Sequence, residues 1–148
     1  MAKGPRCYPG PVDHPVRGFR EVEHTADWEL AVWGPDLPAL LEEAARGMYS
    51  LMGLVVSEDS RRHRRLELAA ADREQLLVSF LDELLFLADS EELAFDAFLL
   101  DVQGTRLLAH LEGGFIVARG KEIKAVTYHR LELRDTPHGL ETSLVFDV

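Results

Sequence analysis

With a single cysteine, Cys7, the chain of 148 residues can form neither an internal disulfide framework nor a cysteine-only metal site. Basic side chains are short in supply, 16 against 26 acidic, which leaves a formal charge of −10. Such a surface repels phosphate backbones, so strong direct binding of nucleic acid is not expected. No apolar run approaches the roughly 20 residues of a membrane helix. Met1-Ala2-Lys3-Gly4-Pro5 leads into prolines, unlike the apolar core of a signal peptide. The expected location is the cytoplasm, with no membrane partner. Also missing are a glycine-rich phosphate loop closed by Lys-Ser/Thr, a paired-histidine zinc spacing and a Gly-x-Ser-x-Gly elbow.

What is present is 47% hydrophobic, enough for the core of one domain. Residues 1–18 hold four prolines (Pro5, Pro9, Pro11, Pro15) and three glycines without a hydrophobic period. They read as a flexible N-terminal arm, with residues 19–148 as the domain. Cys7 and His14 fall in the arm, away from any fixed partner.

Strands are expected over Phe19–Glu23 and Trp28–Trp33, interrupted at His24-Thr25-Ala26-Asp27. Asp36 is placed to cap a helix whose apolar face runs from Leu37 to Met52 and which Gly53 ends. Arg61-Arg62-His63-Arg64-Arg65 opens a further strand. The run contains no aromatic residue to stack on a base, which favours a solvated strand start over an RNA site. Asp72-Arg73-Glu74-Gln75 resembles a capping box. The helix behind it presents Leu76, Leu77, Phe80, Leu81, Leu84 and Leu87 on one face, with Asp82, Glu83 and Asp89 mostly on the other.

From Ala94 onward the pattern is β: a hairpin about Gln103-Gly104-Thr105, a break at Gly113-Gly114, a lysine-bearing strand over Lys121–Leu133 and a last strand over Leu140–Val148. Short connections imply antiparallel pairing. The fold class is therefore α+β, two helices packed on largely antiparallel sheet in a single compact domain.

The chemistry available is that of carboxylates, histidines and one well-placed lysine. Lys124, set in a strand, is a candidate functional cation. Asp27 lies at a bend between strands, as a turn former or as a hard oxygen ligand. Asp147 is followed by Val148, whose backbone carboxylate is expected to add a second anionic group for calcium or magnesium.

Glu23-His24-Thr25-Ala26-Asp27, Lys124-Ala125-Val126-Thr127-Tyr128-His129 and Phe146-Asp147-Val148 occur in the order in which the archease family carries them. The stretch from Phe80 through Phe95 is similar to that family's second helix. The chain thus resembles archeases from about Phe19 to Val148, departing in its arm and in Trp28, where a smaller aliphatic residue is more usual.

The resemblance implies an accessory protein, not an enzyme. Its partner would be the GTP-dependent tRNA-splicing RNA ligase, whose active-site histidine it helps to guanylylate and which it allows to turn over repeatedly in splicing and RNA repair. It implies that Asp27, Lys124 and Asp147 carry this function. A divalent metal ion, calcium first, with magnesium or manganese as alternatives, would be held by Asp27, Asp147 and Val148. His24 and His129 are weaker candidates, since a turn or strand histidine is usually hydrogen-bonded in place. The competing readings are an independent metal-dependent phosphohydrolase and a chaperone-like protein-binding module.

Overall fold

The first helix, α1 (Leu37–Met52), begins where the Asp36 side chain accepts a hydrogen bond from the Ala39 N–H at 2.9 Å. It ends where Gly53 turns left-handed at φ 62° and the N–H of Leu54 reaches back to Tyr49 at 3.2 Å. The second, α2 (Arg73–Glu91), is capped by Asp72, whose Oδ1 accepts from Gln75 N–H at 2.8 Å. Gln75 reaches back as expected, but one residue further, onto the Ala71 N–H at 2.6 Å.

These observations come from a computed structural model that describes residues 15–22, 28–128 and 130–148. Nine strands accompany the helices there: β1 (Gly18–Val22), β2 (Trp28–Gly34), β3 (Val55–Val56), β4 (Arg62–Ala69), β5 (Leu93–Gln103), β6 (Arg106–Ala118), β7 (Ala125–Thr127), β8 (Arg134–Thr136) and β9 (Gly139–Asp147). They form two sheets, antiparallel throughout. In the first, β9 lies between β2 on one side and the short β7 and β8 on the other, with β1 outside β2. In the second, β6 is the hub and pairs with β3, β4 and β5.

Each helix touches strands of both sheets: α1 meets β1, β2 and β9 of the first and β5 of the second, and α2 meets β7 of the first and β4, β5 and β6 of the second. That explains why α2 is buried beyond the single stripe expected from its sequence. Val78, Leu85 and Ala88 are enclosed along with Leu76, Leu77, Phe80, Leu81, Leu84 and Leu87. One contiguous cluster joins both helices to both sheets. The expected fold class holds.

Three expectations are corrected. Gly113 and Gly114 do not break a strand; β6 runs straight through them. A Cβ on Gly113 would stand 2.0 Å from the Ala94 carbonyl oxygen, and one on Gly114 would stand 2.4 Å from that of Ser57. The glycines are there for close backbone approach, not for a turn. The lysine strand is also shorter than expected. Ile123 and Val126 are both buried three residues apart, which a regular strand of period two cannot achieve, so the chain bends and only Ala125–Thr127 pair. A turn follows, with Leu131 N–H bonded to the Tyr128 carbonyl and Arg130 at φ 57°. Finally, β3 and β8 were not anticipated; runs of two and three residues carry too little pattern to be seen.

The end of the arm that is described is tied to the domain. Arg17 Nε donates to Glu43 at 2.7 Å, and the Trp33 indole N–H donates to the Pro15 carbonyl at 2.9 Å.

Candidate functional site

In β9 the side chains alternate strictly: Leu140, Thr142, Leu144 and Phe146 are buried, and Asp147 at the end of the strand is exposed. Ala125 lies opposite Asp147 in the ladder. One residue before the pairing starts, the Lys124 N–H donates to the Asp147 carbonyl at 2.8 Å. Lys124 is not inside a strand, as its sequence implied, yet its backbone is held by one. Two of the expected functional residues are thus brought together through a main-chain bond between positions 23 apart in sequence. Both side chains are exposed. Among the described residues neither enters an ion pair, so their charges remain available to a third party.

The surroundings supply further polar groups. Thr127 Oγ1 in β7 is buried with no hydrogen-bond partner among the described residues. Tyr128, 54% exposed, follows β7. Its hydroxyl pKa is raised, first by partial burial and then by the charges of Asp82 and Asp72 on α2 and its cap. Partial desolvation, with the adjacent Glu83 charge, likewise raises Asp82. The acidic side of α2 therefore faces this end of the first sheet, a relation that the helix pattern alone did not reveal. On the other side of β9, Trp28 opens β2 opposite Phe146, and the Lys121 ammonium lies 4.1 Å from the Trp28 ring centroid.

Asp27, His24 and His129 lie outside the described residues, as do Cys7 and His14. Of the expected metal donors, Asp147 is an exposed hard oxygen donor, suited to a calcium-like cation. Val148 packs its side chain against the core and offers no side-chain donor. Among the described residues no group of three or more histidine, cysteine or acidic side chains is assembled that could hold a metal.

The arginine run that leads into β4 behaves as a solvated strand start. Arg61 is paired with Asp96 and with Glu112, Arg64 with Glu91 and Arg65 with Glu67. One point differs from the sequence reading: β6 does bring an aromatic ring to the run, since Arg62 lies 4.9 Å from the centroid of Phe115. With three of its four arginines matched by carboxylates, the run should bind single-stranded RNA no better than about 10⁻⁴ M at physiological salt. Fluorescence anisotropy checks this. Micromolar binding that disappears when Arg61, Arg62, Arg64 and Arg65 are neutralised would make the run an RNA site after all.

No helix among the described residues is long and apolar enough to cross a membrane.

Residues 19–148 match the model of the Archease protein family. The chain is 31% identical over 140 residues to the protein archease of Methanothermobacter thermautotrophicus, covering 90% of this chain and 100% of that one. It is 33% identical to that of Thermococcus gammatolerans, over 84% and 93% of the two chains. Among solved structures it is similar to protein 1598 of Methanobacterium thermoautotrophicum, with a TM-score of 0.66, 29% identity and coverage of 88% of this chain and 99% of that one. A crystal structure of an archease and possible chaperone from Thermotoga maritima is similar with a TM-score of 0.63 and 26% identity, over 87% and 96% of the two chains.

Proposed function

The chain belongs to the archease family, and from that premise we propose that it is a non-catalytic accessory protein that activates the GTP-dependent tRNA-splicing RNA ligase. It promotes guanylylation of the ligase's active-site histidine and permits repeated turnover in tRNA splicing and RNA repair. The observation that carries this reading is the end of β9, where the backbones of Lys124 and Asp147 are joined at 2.8 Å while both charges stay exposed and unpaired among the described residues. Charged side chains on this −10 surface are elsewhere matched internally, as most arginines of the Arg61–Arg65 run are.

In this reading the Lys124 ammonium contributes a compact positive point charge to a phosphate group in the ligase's active site, and its backbone tether limits how far that charge can wander. Asp147, with Asp27, would hold a divalent cation, calcium first. When bound, that ion would supply positive charge to offset that of phosphate. Asp147 itself keeps its carboxylate outward because the alternation of β9 sends Phe146 into the core.

The test is to incubate intact ligase with GTP, a divalent metal ion and this protein, then count GMP transferred to the ligase and ligations completed per ligase molecule. Both should rise when the protein is added. Absence of any stimulation sinks the reading. Phosphodiester hydrolysis by the protein alone would instead favour a phosphohydrolase. General suppression of aggregation that ignores Lys124→Ala would favour a chaperone-like module.

A further inference from the structure

The chain contains only three lysines, Lys3, Lys121 and Lys124, against thirteen arginines. Both lysines of the described residues thus fall within four positions of one another, in the loop that enters β7. Ammonium and guanidinium groups are not interchangeable: the first is a compact, strongly hydrated point charge, the second a planar fork that pairs with carboxylates and phosphates alike. Elsewhere the arginines are used for just such carboxylate pairs, including Arg17, Arg46, Arg61, Arg64, Arg65, Arg73 and Arg119.

The loop is not slack. Gly120 N–H donates to the Met52 carbonyl at 2.8 Å, Ile123 is 1% exposed in the core, and Lys124 N–H is bonded to Asp147. Lys121 sits between the first two of these anchors. Its ammonium finds no carboxylate among the described residues and lies over Trp28, well inside the distance at which a cation is attracted to a ring face. Trp28 itself is partly buried, packed on the core and placed in register opposite Phe146, the residue before Asp147. The indole therefore holds a second ammonium at the same end of β9.

We propose that Lys121 is a second phosphate-binding cation of this site, positioned by the Trp28 ring to act beside Lys124 on the phosphate oxygens of the nucleotide that the ligase consumes. The proposal rests on the ligase-activator reading and deepens it. Trp28 is a positioning residue, since it acts through Lys121. The bland alternative is that the pair merely fastens a surface loop, and the two roles separate in the variants. Lys121→Met retains an apolar chain over the indole and loses only the charge. Lys121→Arg retains the charge and the ring contact. Trp28→Leu retains the lysine without its platform.

The experiment measures ligase guanylylation by the intact ligase and the full chain as a function of GTP concentration, beside a melting curve for each variant. Lys121→Met should melt with the parent and need about tenfold more GTP for half-maximal guanylylation, the order expected for loss of one point charge near a phosphate. Trp28→Leu should shift the GTP requirement in the same direction by less, and Lys121→Arg, which keeps the charge but not the compact ammonium, should shift it less than Lys121→Met. An unchanged GTP dependence in Lys121→Met overturns the proposal, and so does a lowered melting temperature with a rate loss that is independent of GTP. If the parent does not stimulate the ligase, the activator reading fails by itself. Lys121 is then judged by calorimetric titration of the protein with inorganic tripolyphosphate, where about tenfold weaker binding by Lys121→Met supports a phosphate site and equal binding overturns it.

Discussion

Lys124→Ala is expected to leave the folded protein intact and to reduce stimulation of ligase guanylylation by about a hundredfold, the scale on which a charge aimed at a reacting group is felt. The side chain is exposed and unpaired among the described residues, so its removal should change stability by no more than about 0.5 kcal/mol. The N–H that bonds to Asp147 is backbone and survives the substitution. Asp147→Ala should lose stimulation equally while keeping the fold, since the carbonyl that receives that bond also remains. The two variants part company in their response to metal. An ion that binds only the native state raises stability by mass action, so calcium should raise the melting temperature of the parent and of Lys124→Ala. It should do nothing for Asp147→Ala or Asp27→Ala. Melting curves with and without calcium, run beside the guanylylation assay, decide the matter. Full stimulation by Asp147→Ala and Asp27→Ala would show that these carboxylates are not the site.

The largest effect on stability is expected at Gly113. A single added carbon there would lie 2.0 Å from the Ala94 oxygen and 2.6 Å from Phe95 Cα. Both neighbours are backbone of a paired strand, which cannot swing aside as a side chain can. Gly113→Ala should therefore cost about 3 kcal/mol or more, at the upper end of overpacking effects. That is a large part of the roughly 5–15 kcal/mol by which domains are stable. Gly104→Ala is the control: nothing stands within 4 Å of its added carbon, but its φ of 64° is left-handed, so about 1 kcal/mol is expected. Urea denaturation measures both. A loss at Gly113 equal to or smaller than that at Gly104 would mean that the strands separate more readily than their pairing implies.

The same glycines show where sequence reading stops. Asp36, Gly53 and Asp72 act within a turn or two of themselves, so their capping roles are legible from neighbours in the chain. The alternation of β9 is equally local, and it correctly separated Phe146 from Asp147. Gly113 has meaning only through Ala94, with which it shares no sequence pattern. The lysine stretch misled for a related reason: Ile123 and Val126 looked like part of one long strand, and only their joint burial exposes the bend between them. Of the candidate site, Lys124 and Asp147 stand out by residue type and place, and the resemblance adds their role, whereas their contact depends on a register that nothing local announces. The cation over Trp28 was invisible, because residue 28 was conspicuous only as a departure and its partner lies 93 positions away.

The position of β9 has a consequence for the order in which the protein assembles. Within the second sheet β5 and β6 are joined by a tight hairpin that can close early at small entropic cost, whereas β3 and β4 reach β6 only across α2 and β5. The centre of the first sheet is more distant still. Strand β2 has β1 beside it at once but must wait for β9, more than a hundred residues downstream, with Trp28 meeting Phe146 and Gly34 meeting Leu140. The bond from Lys124 to Asp147 and the register beside Trp28 both depend on β9 being seated. The charged end of the molecule is therefore completed only once β9 is seated, and a chain that has made only its β5–β6 hairpin presents no competent surface to a partner.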